Sequence, residues 1–229
     1  MAARGLVTGH AHTCLLRSND SGACWGWNAY GQLGDGKNIS TSTVSAVKSA
    51  SKWLQISADA YHTCAVDKLG KVHCWGRGSE GQLGDGKKKN TWQPVVVPVS
   101  GHAIAVGAGS YHSCAVDQQG RVWCWGRNNY GQGSVPANLE NVTAIAAGIL
   151  HNLALQQDGT VFAWGSNSNG QANVPNQLES VIAIAAGAYH NLALKQDGTV
   201  EAWGSNSNGQ TNVPDGLEGV IAIAAGGSH

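Results

Sequence analysis

Charge is scarce in this sequence, and what there is cancels. Only 12% of residues are Asp, Glu, Lys or Arg, and fourteen bases face fourteen acids. That balance leaves no basic footprint or tail for nucleic acid. The one dense basic run, Lys87-Lys88-Lys89, reads as a solvated loop. Long apolar runs are missing too. The longest, around Val220-Ile221-Ala222-Ile223-Ala224-Ala225, is strand-sized, so no membrane insertion is expected. The opening MAARGLVTGHAH holds no apolar run that could form a signal-peptide core. No phosphate loop, zinc helix motif or nucleophile elbow occurs, and no cysteine pair has C-x-x-C spacing. The reading is a monomer with no cofactor and no metal.

What is abundant is glycine, with 32 residues, and tryptophan, which outnumbers Tyr and Phe. This argues for many tight turns and against a helical bundle. The pattern then resolves into repeats. Histidines preceding a short apolar run occur at His12, His62, His112, His151 and His190, and the sequence ends at His229. A Trp-Gly pair follows each of the first five, at Trp25, Trp75, Trp125, Trp164 and Trp203, and a Gly-Gln pair comes next, ending at Gln32, Gln82, Gln132, Gln171 and Gln210. Within a unit, His-Asn-Leu-Ala-Leu and Thr-Val-Glu-Ala-Trp alternate with period two, as half-buried strands do. Gln-Asp-Gly supplies the hairpin turn between them. A short Asn-Val-Pro edge strand and the run Val-Ile-Ala-Ile-Ala-Ala-Gly complete four antiparallel strands per unit.

Four short strands in about 40 residues are the signature of a propeller blade. The expected fold is therefore an all-β β-propeller of four-stranded blades forming one domain over residues 1–229. Its units fall at about 5–50, 51–100, 101–139, 140–178 and 179–217, with a closing or partial strand at 218–229. Either that surplus strand closes a five-bladed ring or the array is an excerpt of a larger one, which is the preferred reading. One indole per blade is expected to fill the wedge between sheets, and the small alanines to lie near the axis.

The segments HTCLLRSNDSGACWGWNAYGQLGDG, YHTCAVDKLGKVHCWGRGSEGQLGDG and YHSCAVDQQGRVWCWGRNNYGQG resemble the regulator-of-chromosome-condensation repeat family. That resemblance implies a propeller, usually of seven blades, and brings guanine-nucleotide exchange on a small GTPase into consideration. The compact loops carry no comparable insertion, so no exchange residue is transferred. The last two repeats are also similar to the compact units of secreted β-lactamase inhibitory proteins built on the same fold, which implies a secreted inhibitor or surface-binding role as a further alternative.

The cysteines fall in pairs: Cys14 and Cys24, Cys64 and Cys74, Cys114 and Cys124. The hairpin register sets Cys64 opposite Cys74, close enough for a bridge with modest adjustment. Repeats four and five replace both members together, with Leu153 and Ala163, then Leu192 and Ala202. A disulfide is preferred over reduced core thiols, and over a metal site that would add His62. Bridges favour an extracytoplasmic setting, whereas the chain shows no export signal, which leaves the cytoplasm as the other compartment. The sequons at Asn38 and Asn141 do not decide between them.

In a meander, alternate connections share one face. The residue before each His is therefore expected beside the loop that follows Trp-Gly. Together they gather Tyr61, Tyr111, Leu150 and Tyr189 with Trp27, Tyr30 and Tyr130. Variable aromatics on loops of a rigid scaffold suit a protein partner, although packing between blades would also use them. The histidines recur with the fold, which points to loop-bracing hydrogen bonds rather than one asymmetric catalytic constellation. The reading is a non-catalytic protein-binding module.

Overall fold

The structure, a computed structural model, describes residues 3–229; residues 1 and 2, at the start of the expected domain, lie outside the described residues. The first sheet comprises β1 (Ala3–Thr8), β2 (His12–Arg17), β3 (Gly22–Gly26) and β4 (Thr41–Ala46). The second comprises β5 (Trp53–Ala58), β6 (His62–Asp67), β7 (Val72–Gly76) and β8 (Thr91–Val97). Three-stranded sheets follow. They are β9 (Ala103–Ala108), β10 (His112–Asp117) and β11 (Val122–Gly126); β12 (Val142–Ala147), β13 (His151–Gln156) and β14 (Val161–Gly165); and β15 (Val181–Ala186), β16 (His190–Lys195) and β17 (Val200–Gly204). Inner strands β1, β5, β9, β12 and β15 touch in chain order, so the sheets succeed one another as blades of a β-propeller.

Two expectations need correction. The Asn-Val-Pro segments of the last repeats do not join a sheet, nor does the equivalent Ser134-Val135-Pro136. Proline offers no N–H to a ladder. These repeats also recur every 39 residues instead of 50, leaving too little chain for a full outer strand. The second correction concerns burial. β6 and β10 are buried at every residue, not on one side, because each blade is covered by a neighbour on both faces. After the fifth blade, Val220 N–H reaches the Gly198 carbonyl (3.0 Å) and Ala188 N–H reaches that of Gly226 (3.1 Å). This last inner segment forms no ladder with β1 among the described residues.

The hairpin register is as the sequence implies. Cys14 faces Cys24, Cys64 faces Cys74 and Cys114 faces Cys124, each with Cα atoms 4.1 Å apart and each pair joined as a disulfide. With their sulfurs bonded to each other, Cys64 and Cys74 are not available as metal ligands beside His62.

Between blades runs a repeated relay. The Thr63 hydroxyl donates to the Gln32 carbonyl (2.9 Å), which uses its single proton, so His12 Nε2–H donates to Thr63 Oγ1 (2.9 Å). Ser113 connects His62 to the Gln82 carbonyl in the same way, at 2.7 and 2.9 Å. In the shorter repeats an amide replaces the hydroxyl. Asn152 accepts from His112 (2.8 Å) and donates to the Gln132 carbonyl (2.8 Å), and Asn191 does the same for His151 and Gln171, at 2.8 and 2.7 Å. The histidines thus bind the next blade rather than bracing their own loops. Loop bracing falls to asparagine: Asn28 Oδ1 accepts from Leu33 N–H, Asn128 from Gly133 and Asn167 from Ala172.

The same Gln carbonyls also receive the indoles. Trp75 and Trp125 donate to Gln32 and Gln82 at 2.9 and 2.8 Å, and Trp164 and Trp203 to Gln132 and Gln171 at 3.2 Å. Trp75 sits in a cluster drawn from two blades, with Cys14, Cys24, Leu33, Trp53 and Ile56. Gly34 makes room for it, since a Cβ there would lie 2.6 Å from the indole nitrogen. Trp25, in the first blade, is only half-buried and has no such acceptor among the described residues.

Four outcomes are expected. Trp75→Ala should cost about 3–5 kcal/mol in denaturant unfolding, and Trp25→Ala clearly less. Mass spectrometry of protein kept from reductants should show a pair of hydrogens gained per bridge on reduction. Removing the Cys64–Cys74 bridge by double Ala substitution should lower stability by about 2.8 kcal/mol in the chain-entropy picture. Acid should also destabilise. Burial, reinforced by neighbouring imidazoles, holds His62 at about 3 and His112 and His151 at about 4, and burial alone holds His12 at about 4, all from 6.5. Below pH 6.5 the unfolded chain takes up protons that these folded histidines do not. Stability should therefore fall as pH drops from about 6.5 towards 4. Asp59, raised from 3.8 to about 6, works in the opposite sense as one group against four. A thermal midpoint no lower at pH 5 than at pH 7 would contradict this.

Candidate functional site

One backbone latch, repeated in every blade, builds the rim of the propeller. The carbonyl of the residue before each His accepts the N–H of the residue after Trp-Gly. The pairs are Ala11 with Trp27 (2.7 Å), Tyr61 with Arg77 (2.9 Å), Tyr111 with Arg127 (2.9 Å), Leu150 with Ser166 (2.8 Å) and Tyr189 with Ser205 (2.8 Å). The glycine of the Trp-Gly pair makes this approach possible. Gly76 has φ +106°, and a Cβ there would lie 2.7 Å from the Tyr61 carbonyl oxygen.

The latch puts both predicted groups on one face. The inner strands line an axial cavity of about 770 Å³, and His10, Tyr61, Tyr111, Leu150 and Tyr189 stand among its lining. Trp27, Tyr30 and Tyr61 pack edge-to-face, with centroids 5.2, 5.7 and 5.9 Å apart, and Tyr61 lies 6.5 Å from Tyr111. All four are half-buried. The structure thus brings Trp27, Tyr30, Tyr61 and Tyr111 into one cluster. Leu150 and Tyr189 continue around the cavity mouth, Tyr189 more exposed than Leu150. Tyr130, 53% exposed, takes no part in ring stacking among the described residues.

Sequence reasoning overlooked two arginines. The Arg77 guanidinium lies 5.6, 5.3 and 5.5 Å from the ring centres of Tyr30, Tyr61 and Tyr111, and Arg127 lies 5.4 Å from that of Tyr111. The signal was present, because only the second and third repeats read Trp-Gly-Arg.

Asp59 was overlooked as well. Every other repeat has glycine three residues before its His, and the histidine ring occupies the space a Cβ would need, as near as 2.2 Å at Gly187. The second repeat places Asp59 there, among the cavity-lining residues. Its carboxylate accepts from Ser110 Oγ (3.1 Å). Burial pushes its pKa up to about 6, against the hydrogen bonds from Ser110 and Ala60 N–H and the charge of nearby His10. No group of three His, Cys, Asp or Glu residues able to hold a metal occurs among the described residues.

The family description "Regulator of chromosome condensation (RCC1) repeat" matches residues 53–82, 103–132, 142–171 and 181–210, and a second description of the repeat matches 24–66 and 70–116. No curated protein gives a significant match. Among solved structures, human WBSCR16 is similar at 23% identity and TM-score 0.82, over 98% of this chain and 70% of that one. Prp20p from Saccharomyces cerevisiae, reported with its binding properties to Gsp1p and histones, gives 26% identity and TM-score 0.78, over 93% and 59%. Yeast RCC1 (Prp20) bound to Kap60 gives 23% identity and TM-score 0.81, over 98% and 66%. The chain thus spans between 59% and 70% of these proteins' lengths. With matched repeats over more than half of its length, the chain belongs to the regulator of chromosome condensation (RCC1) repeat family.

Proposed function

We propose that this propeller is a non-catalytic protein-binding module whose partner docks on the rim of Trp27, Tyr30, Tyr61, Tyr111, Leu150 and Tyr189, with Tyr130 at its periphery. The observation that carries this reading is the half-exposed cluster of Trp, Tyr and Arg on one face. Those residue types dominate binding hot spots, Trp and Tyr because they bring large area with few rotamers to freeze. The binding of Gsp1p and histones by Prp20p supports a protein as partner. The repeated histidines are drawn into buried bonds between blades, which leaves them poor candidates for acid–base chemistry.

The family resemblance carries a second reading, in which the partner is a small GTPase and the face accelerates nucleotide release. Immobilised wild type and a Tyr61→Ala/Tyr111→Ala/Tyr189→Ala variant, matched by circular dichroism, would be compared for retained proteins. Partners of the wild type should be lost, each anchor contributing about 2 kcal/mol or roughly 30-fold in affinity. A folded variant that keeps every partner would rule out this face. Release of labelled GDP from a GTPase panel on addition of the protein would favour the second reading.

A further inference from the structure

Resting on the rim as the docking face, the geometry points to a more specific partner: we propose that Arg77 and Arg127 read the carboxylates of an acidic segment. Both guanidiniums lie against the same Tyr111 ring, so one short segment spans them. Tyr30 and Tyr61 hold Arg77 from further sides, and its Nε donates to Ser79 Oγ (2.9 Å). A guanidinium fixed in this way keeps its remaining N–H fork for a planar anion with less entropy left to lose.

Neither arginine has a carboxylate partner among the described residues, in contrast to Arg121, whose guanidinium meets Asp117 at 2.7 Å. Several acids of the same face are engaged elsewhere. Asp35 accepts from Lys37 N–H and Ser45 Oγ, Asp85 from Lys87 N–H and Asp59 from Ser110. Glu80, three residues after Arg77, forms no ion pair with it among the described residues. The corresponding loops of the last two blades read Ser-Asn-Ser-Asn and carry no charge. Directly after Trp-Gly, positive charge is therefore confined to the second and third repeats, beside Tyr61 and Tyr111. A single-stranded nucleic acid would need free ring faces on which to stack, whereas Tyr30, Tyr61 and Tyr111 already face guanidinium.

The test is fluorescence anisotropy with a labelled oligo-glutamate peptide, with oligo-lysine, a Gly-Ser peptide and oligo-uridine as comparisons. Oligo-glutamate should bind, and more weakly as salt rises. Arg77→Gln/Arg127→Gln should reduce affinity about tenfold or more. The Lys variant of both positions, which keeps the charge but loses the fork, should fall between. Lys87→Gln/Lys88→Gln/Lys89→Gln should bind as the wild type does. The proposal is overturned if oligo-glutamate does not bind, if the Gln arginine variant binds equally well, if the lysine variant is the one that fails, or if oligo-uridine is preferred. Should partners depend on the tyrosines yet survive loss of both arginines, the docking face would stand and only the acidic segment would be wrong.

Discussion

The structure depends on one carbonyl per repeat. In the first four repeats the Gln that follows the Trp-Gly loop turns its backbone oxygen towards the next blade, where it accepts an indole N–H and a side-chain hydroxyl or amide. That hydroxyl or amide is itself held by the histidine of the blade before. Two side chains of one blade thus converge on one buried acceptor of the blade before, which leaves it well satisfied in a setting where an unmatched one would be costly. This junction ties each blade to the next at a fixed place. Where the relay lacks its partner the consequence is visible, as His190 has neither ring nitrogen bonded among the described residues.

The relay also separates scaffold from surface. Because Nε2–H is donated and Nδ1 lies buried without a partner, each relay histidine is confined to one neutral tautomer. Four recurring histidines that look like candidates for chemistry, His12, His62, His112 and His151, are therefore architecture. The departures from the repeat carry the individuality of the chain: arginine after Trp-Gly in two repeats, aspartate for glycine in one, and tyrosines before the histidine in three. All sit on the face built by the Tyr61–Arg77 type of latch. Local exceptions in a regular array tend to mark function.

Much of this was legible in the sequence. The repeat length, hairpin register, cysteine pairs and shared face of the tyrosines all follow from period-two strands joined by tight turns. The relay was not. Its acceptor is a backbone oxygen, which no side-chain pattern reveals, and its middle member alternates among Thr63, Ser113, Asn152 and Asn191, alike only in hydrogen-bonding capacity. The missing outer strands of the shorter blades were masked by apolar residues that looked strand-like. Leu139 and Val174 still pack against neighbouring cores, but outside any ladder. Arg77 was missed because a single Arg in a polar loop looks solvated until the rings around it are assembled.

The relay makes a claim about individual protons, and nitrogen-detected NMR of the imidazoles tests it most directly. At neutral pH the signals of His12, His62, His112 and His151 should report the neutral ring with its proton on Nε2. At pH 5, where an exposed histidine is mostly charged, they should still do so. Resonances showing the proton on Nδ1, or a charged ring at that pH in the folded protein, would contradict the junction on which this account of the fold rests.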